Sequence, residues 1–600
     1  MSILKSLVDL YDRMDGVPSF GYSPEGVSFL ISLKNDGMVS ELIDLREGEG
    51  KTARSRSMMV PQAVKRTSGV LPNFLWDKTS YVLGLSADYV PKKDEPEEVT
   101  ARAVEKIRKA EAAQHKAFVD FHMGVLAETD DEGLIALRAF LSSWEPARFN
   151  DLNWPTDVKG SNVAFLLESD KSLIHERAEA KLIWSRISRD DDAELAPCLV
   201  TGEVAPVARL HPSIKNVSGA KSTGASLVSF NRNAYDSYGK SQGWNAQVSE
   251  RAAFAYGAAL NHMLQYLSGH RINIGDTTSV FWADASKREM ASEMEALFAM
   301  MFDAGDADKS VEAVSNERLK DRLEQIRRGA ILKEIDPNLD EGVRFHVLGL
   351  SPNAARISIR FHYCDTFGSL AANYQKFVSE MHISPPPKDG LPPLWRYLCE
   401  TAVLRKAENI IPALSGEWMR SILTGDRYPL SLMSTVLLRI RADRDINALR
   451  ASILRAVLIR NFGKDDTPVA LDRNHTGKGY LLGRLFATYE RVQSAALGSN
   501  VNATVKDKFY SAASAQPRRV FGALESGSAK HLTKLGKTKR GYRIVLEKEI
   551  ASIMDMMSPG EDPYPASLST EEQALFALGY YHQRNDFFNS TENKAVPAGE

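Results

Sequence analysis

Cysteine is nearly missing from this chain: 3 residues in 600, Cys198, Cys364 and Cys399, all far apart in sequence. That spacing excludes a disulfide framework and a thiolate metal cluster, and it fits a reducing, cytoplasmic setting. No apolar run approaches the roughly eighteen residues that a membrane helix needs, so no membrane partner is expected. Net charge is scarce too. The 75 Lys and Arg against 77 Asp and Glu leave −2, which argues against a surface coated uniformly by a polyanion. No His-Glu-x-x-His or Cys-x-x-Cys occurs, so neither a metal nor another cofactor is implied. Gly239-Lys240-Ser241 and Gly536-Lys537-Thr538 resemble the end of a phosphate loop. The glycine needed five residues earlier is replaced by Ala234 and His531. Gly239-Lys240-Ser241-Gln242-Gly243 spells a nucleophile elbow, but no apolar strand precedes it. The triplet Asp190-Asp191-Asp192 reads either as a cation ligand set or as a solvated helix end.

What is present is segregated charge. Between Lys51 and Trp76 stand 5 basic residues (Lys51, Arg54, Arg56, Lys65, Arg66) and no acid. Between Lys506 and Lys548 stand 11 Lys and Arg against Asp507, Glu525 and Glu547. Acids gather in the Lys92–Glu98 and Arg189–Glu194 segments. A nearly neutral protein with local basic tracts can hold a phosphate backbone through patches.

A chain of this length exceeds one core and implies about two to four domains. The first residues place Ile3, Leu4, Leu7, Leu10, Tyr11 and Met14 at helical spacing with Asp9, Asp12 and Asp15 between them. That predicts an amphipathic helix and not a signal peptide. Alternating apolar residues on both sides of Asn35-Asp36-Gly37 predict a β-hairpin. The run from Ser80 to Leu85 reads as a strand, residues 99–127 as a helix, and 199–228 as irregular β-rich structure. A helix follows with Ser249 as N-cap. Strands are predicted on both sides of a turn at Ser351-Pro352-Asn353. After Pro393 strand signals stop and helices continue to about residue 590, with breaks near Tyr428-Pro429, residues 463–479 and residues 559–565. The predicted fold class is α+β: a mixed α/β body over 1–393, connecting helices over 394–468, and a helical bundle over 469–600.

The most informative segment is SFNRNAYDSYGKSQGWNAQVS, from Ser229 to Ser249. It holds 3 Asn, 2 Gln, 2 Gly and 4 aromatics in 21 residues. Buried cores rarely carry so many amides, because each unpaired one is costly to desolvate. Base edges are good partners for Asn and Gln, and aromatic rings stack on unpaired bases. The competing reading is a polar loop closed on its own side-chain hydrogen bonds.

With its lead-in from Cys198 to Asn231, this segment resembles the large subunit of the type I-C CRISPR effector complex, Cascade. The segments from Arg54 to Gly84 and from Val347 to His362 resemble the same family, and Tyr480 to Gln493 is similar to the small-subunit portion at its C-terminal end. One departure is Gln247, which stands where the family's Asn-Ala-Pro-Val-Ser run has proline. The resemblance implies a non-catalytic subunit that recognises the protospacer-adjacent motif in double-stranded DNA and stabilises the R-loop. Its implied partners are the guide RNA ribonucleoprotein, the displaced single strand, the backbone, RNA-processing and small subunits of Cascade, and a helicase-nuclease. It also implies that the C-terminal part is made separately from an internal start. No Met lies between Met433 and Met554, so that start would need a non-standard codon.

On that footing the candidate DNA contacts fall in three groups. Arg54, Arg56, Lys65, Arg66 and Asn73 would form a basic loop, with Asn73 delivering an amide to a base edge. Lys215, Lys221, Asn231, Arg232, Gln242 and Asn245 lie in the central segment, with Gln242 suited to a wedge and Tyr235, Tyr238 or Trp244 to stacking. Arg518, Arg519, Lys534, Lys537, Lys539, Arg540 and Arg543 would line a groove for single-stranded DNA. The alternative is a metal-dependent DNA nuclease whose site is dispersed along the chain.

Overall fold

The Asn35-Asp36-Gly37 turn forms where the sequence predicts it. The computed structural model shows Phe29–Leu33 paired antiparallel with Val39–Asp44, and Asp36 Oδ1 accepts the Met38 amide at 2.9 Å. The structure describes residues 2–48, 53–64, 66, 69–91, 95–188, 194–266, 268–302, 313–337, 339–388, 390–498, 503–558, 560 and 562–592. The candidate contact Lys65 and the triplet Asp190-Asp191-Asp192 lie outside these residues. The fold class is α+β, and the last strand of the described residues is Arg356–Thr366. The chain divides into two compact units, one of residues 1–210 with 230–259, the other of 211–229 with 260–600.

In the first unit the hairpin joins a sheet ordered Val39–Asp44, Phe29–Leu33, Asn162–Leu167, Trp76–Lys78, with Ser172–Leu173 added beside Asn162–Leu167. The two central strands run parallel. Because successive side chains point to opposite faces, Phe29, Ile31 and Leu33 enter one core with Phe74, Phe118, Leu137 and Phe165. Leu30 enters a second, smaller one with Val60, Trp76 and Ala164. A ribbon of Tyr22–Val27 and Arg56–Pro61 supplies Val60 to that second face. The run from Ser80 was expected to be a strand. It is instead the end of a short helix, Thr79–Val82, entered from the strand Trp76–Lys78. All four helix residues are buried, and a fully buried apolar run carries no periodicity to separate strand from helix. The 29-residue helix Glu97–Val125 and the Ser249 N-cap, whose Oγ accepts the Ala252 amide at 3.3 Å, match expectation.

The second unit contains a six-stranded sheet ordered Ser213–Ile214, Ala225–Ser226, Arg356–Thr366, Arg344–Asn353, Thr277–Ala283, Arg271–Ile274. The Ser351-Pro352-Asn353 segment was expected to be a turn and is strand. The hairpin closes at Ala354-Ala355, with Ala354 in the left-handed region at φ 54° and Asn353 opposite Arg356. One face of this sheet carries Phe281, Phe345, Val347 and Phe361 into a core shared with the helices Arg288–Phe302 and Phe367–Met381. The same core continues through the helices after Pro393, reaching Trp418, Leu454, Leu485 and Phe576. The break in the sequence at Pro393 is thus a break in strand content and not in packing. The C-terminal helices are tied to what precedes them: the Ser384 amide donates to Val469 O at 2.8 Å and Tyr581 Oη to Pro385 O at 2.6 Å.

Candidate nucleic-acid interface

Of the first group, Arg66 and Asn73 sit where the chain leaves strand Arg56–Pro61 and returns in strand Trp76–Lys78, whereas Arg56 opens that strand and Arg54 precedes it. Trp76 closes this loop at its base, its Nε1 donating to Pro61 O at 2.8 Å. Asp77, 1% exposed, organises the interior. It accepts the Asn73 backbone amide at 2.8 Å and an ion-paired hydrogen bond from Arg66. Burial pushes its carboxyl up from the ordinary value, and those two donors oppose the rise. The Arg66 guanidinium also donates to Leu71 O at 2.7 Å and lies 4.1 Å from the centre of the Tyr81 ring.

Asn73 does not project as expected. It is 4% exposed, and its Oδ1 accepts the Val64 amide at 3.0 Å. The buried amide shapes the loop, while Val64, Arg66, Val70 and Leu71 in the loop and Arg54 and Arg56 before it face solvent. His122 supports the far end: its Nε2 accepts the Leu75 amide at 2.9 Å, at a left-handed residue with φ 64°. Asp77 and His122 went unnoticed in the sequence because each acts through a fold contact that no local spacing encodes.

The central group is divided. Lys215 and Lys221 are exposed on the 215–224 connection of the second unit, whereas Asn231, Arg232, Gln242 and Asn245 belong to the first. Much of 230–248 is closed on its own hydrogen bonds. Asn245 Oδ1 accepts the Ser237 amide at 3.0 Å, and its Nδ2 donates to Lys240 O at 3.0 Å and Gln242 O at 3.1 Å. Gln242, expected as a wedge, is half-buried, and its Oε1 accepts Arg209 Nη1 at 3.0 Å. Gly243 packs so tightly on the 208–209 backbone that a Cβ would sit 1.9 Å from Ala208 O. What projects is a two-residue turn. The Lys240 amide donates to Ser237 O at 3.0 Å, with Tyr238 at φ 51° and Gly239 at φ 71°. A left-handed pair of this kind is the tight turn of hairpins. Here it holds Tyr238 at 99% exposure.

The third group forms the tip of a helical hairpin. Helices Phe521–Thr538 and Arg540–Asp555 are joined by Lys539 alone, and Leu535 and Leu546 pack together with Val492 beneath the tip. At 100° per residue, Lys530, Lys534 and Lys537 share the helix face opposite Leu535. Among the described residues, Lys534, Lys537, Lys539 and Arg540 form no ion pair and are exposed. Two other candidates are compensated, Arg518 by Asp562 at 2.6 Å and Arg543 by Glu547 at 2.7 Å, whereas Arg519 donates to the neutral Gln516 Oε1 at 2.9 Å and keeps its charge. The uncompensated candidates are thus four cations at one tip and Arg519 before the first helix of the hairpin.

Among the described residues no three His, Cys, Asp or Glu side chains gather as a metal site, and no helix is long and apolar enough to cross a membrane. No curated protein matches the chain. The family described as CRISPR-associated protein (Cas_Csd1) matches residues 7–588. The chain belongs to that family, the large subunit of the type I-C CRISPR effector complex.

Proposed function

We propose that this subunit recognises a short motif in duplex DNA for a type I-C Cascade complex and then steadies the opened strands. The observation that carries the reading is the basic loop between Pro61 and Trp76. Asn73, Asp77 and His122 hold its backbone from within at Val64, Asn73 and Leu75, which lowers the conformational entropy lost at those positions when it meets a groove. Arg54 and Arg56, at the start of the strand that leads into it, supply phosphate contacts, which position without specifying sequence. Guide RNA pairing with the target strand provides the sequence choice, and the protein reads the motif.

In this reading the subunit is non-catalytic and works in the cytoplasm. It sits with the guide RNA and the backbone, RNA-processing and small subunits, and the opened DNA is passed to a helicase-nuclease. Tyr238 on its turn and the Lys534–Arg540 tip serve the opened strands. The helices from residue 469 onward act in the complex as its small-subunit portion, in cis or as a separate product from an internal start.

The test is electrophoretic binding by the assembled complex across motif variants and salt concentrations. Affinity is expected to depend on the motif. Arg54→Ala and Arg56→Ala should weaken all sequences alike and flatten the salt dependence, whereas Asn73→Ala, which leaves the Val64 amide without its side-chain partner, should weaken motif-dependent binding by deforming the loop. Motif-independent affinity in the wild-type complex would overturn the reading.

A further inference from the structure

A largely polar cavity of about 380 Å3 opens on the second unit, lined by Asn216, Ser218, Gln265, Tyr266, Arg271 and Asn273, with Val217 as its one aliphatic residue. Sequence patterning does not single these residues out, because they come from a loop, a helix end and a strand that meet only in the fold. The wall contains three primary amides, one guanidinium and one tyrosine, and no carboxylate.

Its frame is fixed. Arg271 Nη1 donates to Leu264 O at 2.9 Å and to Asn216 O at 3.4 Å, bridging two sides of the opening. Asn273 Oδ1 accepts Thr278 Oγ1 at 2.9 Å, and that oxygen accepts the Ser218 amide at 3.0 Å. At the loop's start the Lys215 amide donates to Asn261 Oδ1 at 2.7 Å. Tyr266 is 73% exposed, with the Arg271 guanidinium 6.0 Å from its ring centre.

The chemistry selects a flat ligand with both donors and acceptors on its edge. Primary amides offer both functions, and an exposed ring offers a stacking face to any base. A lipid chain would find only Val217 and the Tyr266 ring as apolar surface here. A paired base is excluded as well, because its faces are covered by neighbours and its edge is in use. The exposed Lys215 and Lys221 on the same loop suit the phosphates of a passing strand.

We infer that this cavity receives one unpaired base of the displaced DNA strand, stacked on Tyr266 with its edge toward Asn216, Gln265 and Asn273. The inference rests on the reading that the complex holds opened DNA. It is tested with the assembled complex and a premelted bubble target carrying 5-iododeoxyuridine at successive positions of the displaced strand.

Irradiation is expected to yield an adduct at Tyr266 from one position or two adjacent ones. Tyr266→Ala should abolish it and weaken bubble binding about tenfold, the scale of one base–aromatic stack. Tyr266→Phe should retain both. No adduct at Tyr266 while the bubble is bound, or an adduct formed instead from iodouridine in the guide RNA, would overturn the inference. Because the bubble is already open, failure to open a plain duplex registers separately, against the proposed function.

Discussion

His122 holds the backbone of Leu75 from inside the first unit: its Nε2 accepts the Leu75 amide at 2.9 Å while its Nδ1 lies 2.8 Å from the Phe118 carbonyl. The arrangement requires a neutral ring with its proton on Nδ1, and complete burial holds the imidazole down at about 4. A protonated Nε2 would set N–H against N–H and release the left-handed Leu75.

Acid should therefore loosen the basic loop. An ordinary histidine titrates near about 6.5. Between that value and about 4 the unfolded chain takes up a proton that the folded one does not. Stability then rises with pH across this window: it is full above about 6.5 and is lost as pH falls toward 4, by about 3 kcal/mol. Hydrogen exchange in residues 70–78, corrected for intrinsic rate, is expected to quicken between pH 7 and pH 5. In His122→Gln, which keeps a neutral acceptor, that change should largely vanish. His175 and His582 are also held at about 4, so whole-protein melting would retain acid sensitivity and only the local readout discriminates.

Asp77 is expected to control the loop as a unit. Asp77→Asn keeps the shape but removes the charge that holds Arg66, and should cost about 2 kcal/mol of stability. Duplex binding by the assembled complex should weaken along with it. Loss of stability with unchanged duplex affinity would remove this loop from recognition.

The turn at Tyr238 should matter for opening more than for first contact. Unstacking a base step costs a few kcal/mol, and a premelted bubble has already met that cost. Asn245→Ala, which unpins the turn, and Tyr238→Ala, which removes only an exposed ring, should both impair duplex targets more than bubble targets. Equal losses on the two substrates would assign the segment a structural role.

The helical hairpin tip sets a quantitative expectation for salt. Replacing Lys534, Lys537, Lys539 and Arg540 with Ala should flatten the dependence of single-strand affinity on salt by about 0.7 in log–log slope for each phosphate no longer neutralised. Arg518→Ala and Arg543→Ala should change it less, because Asp562 and Glu547 already offset those charges. An unchanged slope in the fourfold variant would place the strand elsewhere.

Much of the architecture was legible in the sequence, because local chemistry specified it. The Asp36 turn, the Ser249 cap and the helices after Pro393 all rest on neighbouring residues. The Ser80 run and the Pro352 turn were misread because tertiary burial and a left-handed Ala354 decided them. The interface was legible as a set of segments and not as a set of contacts. Asn73 and Gln242 have the residue type of a base reader, yet the fold turns both toward its own backbone and side chains. Asp77, His122 and the Tyr266 cavity depend on strands and helices meeting from distant positions, which composition cannot signal.

The most direct test of motif recognition is a photo-cross-linking residue at Val70, exposed near the tip of the basic loop, in the assembled complex bound to a target duplex. Adducts are expected to be confined to the motif base pairs and to disappear on motif variants that lower affinity. Adducts spread along the duplex, or none from Val70 while motif-dependent binding persists, would contradict recognition by this loop.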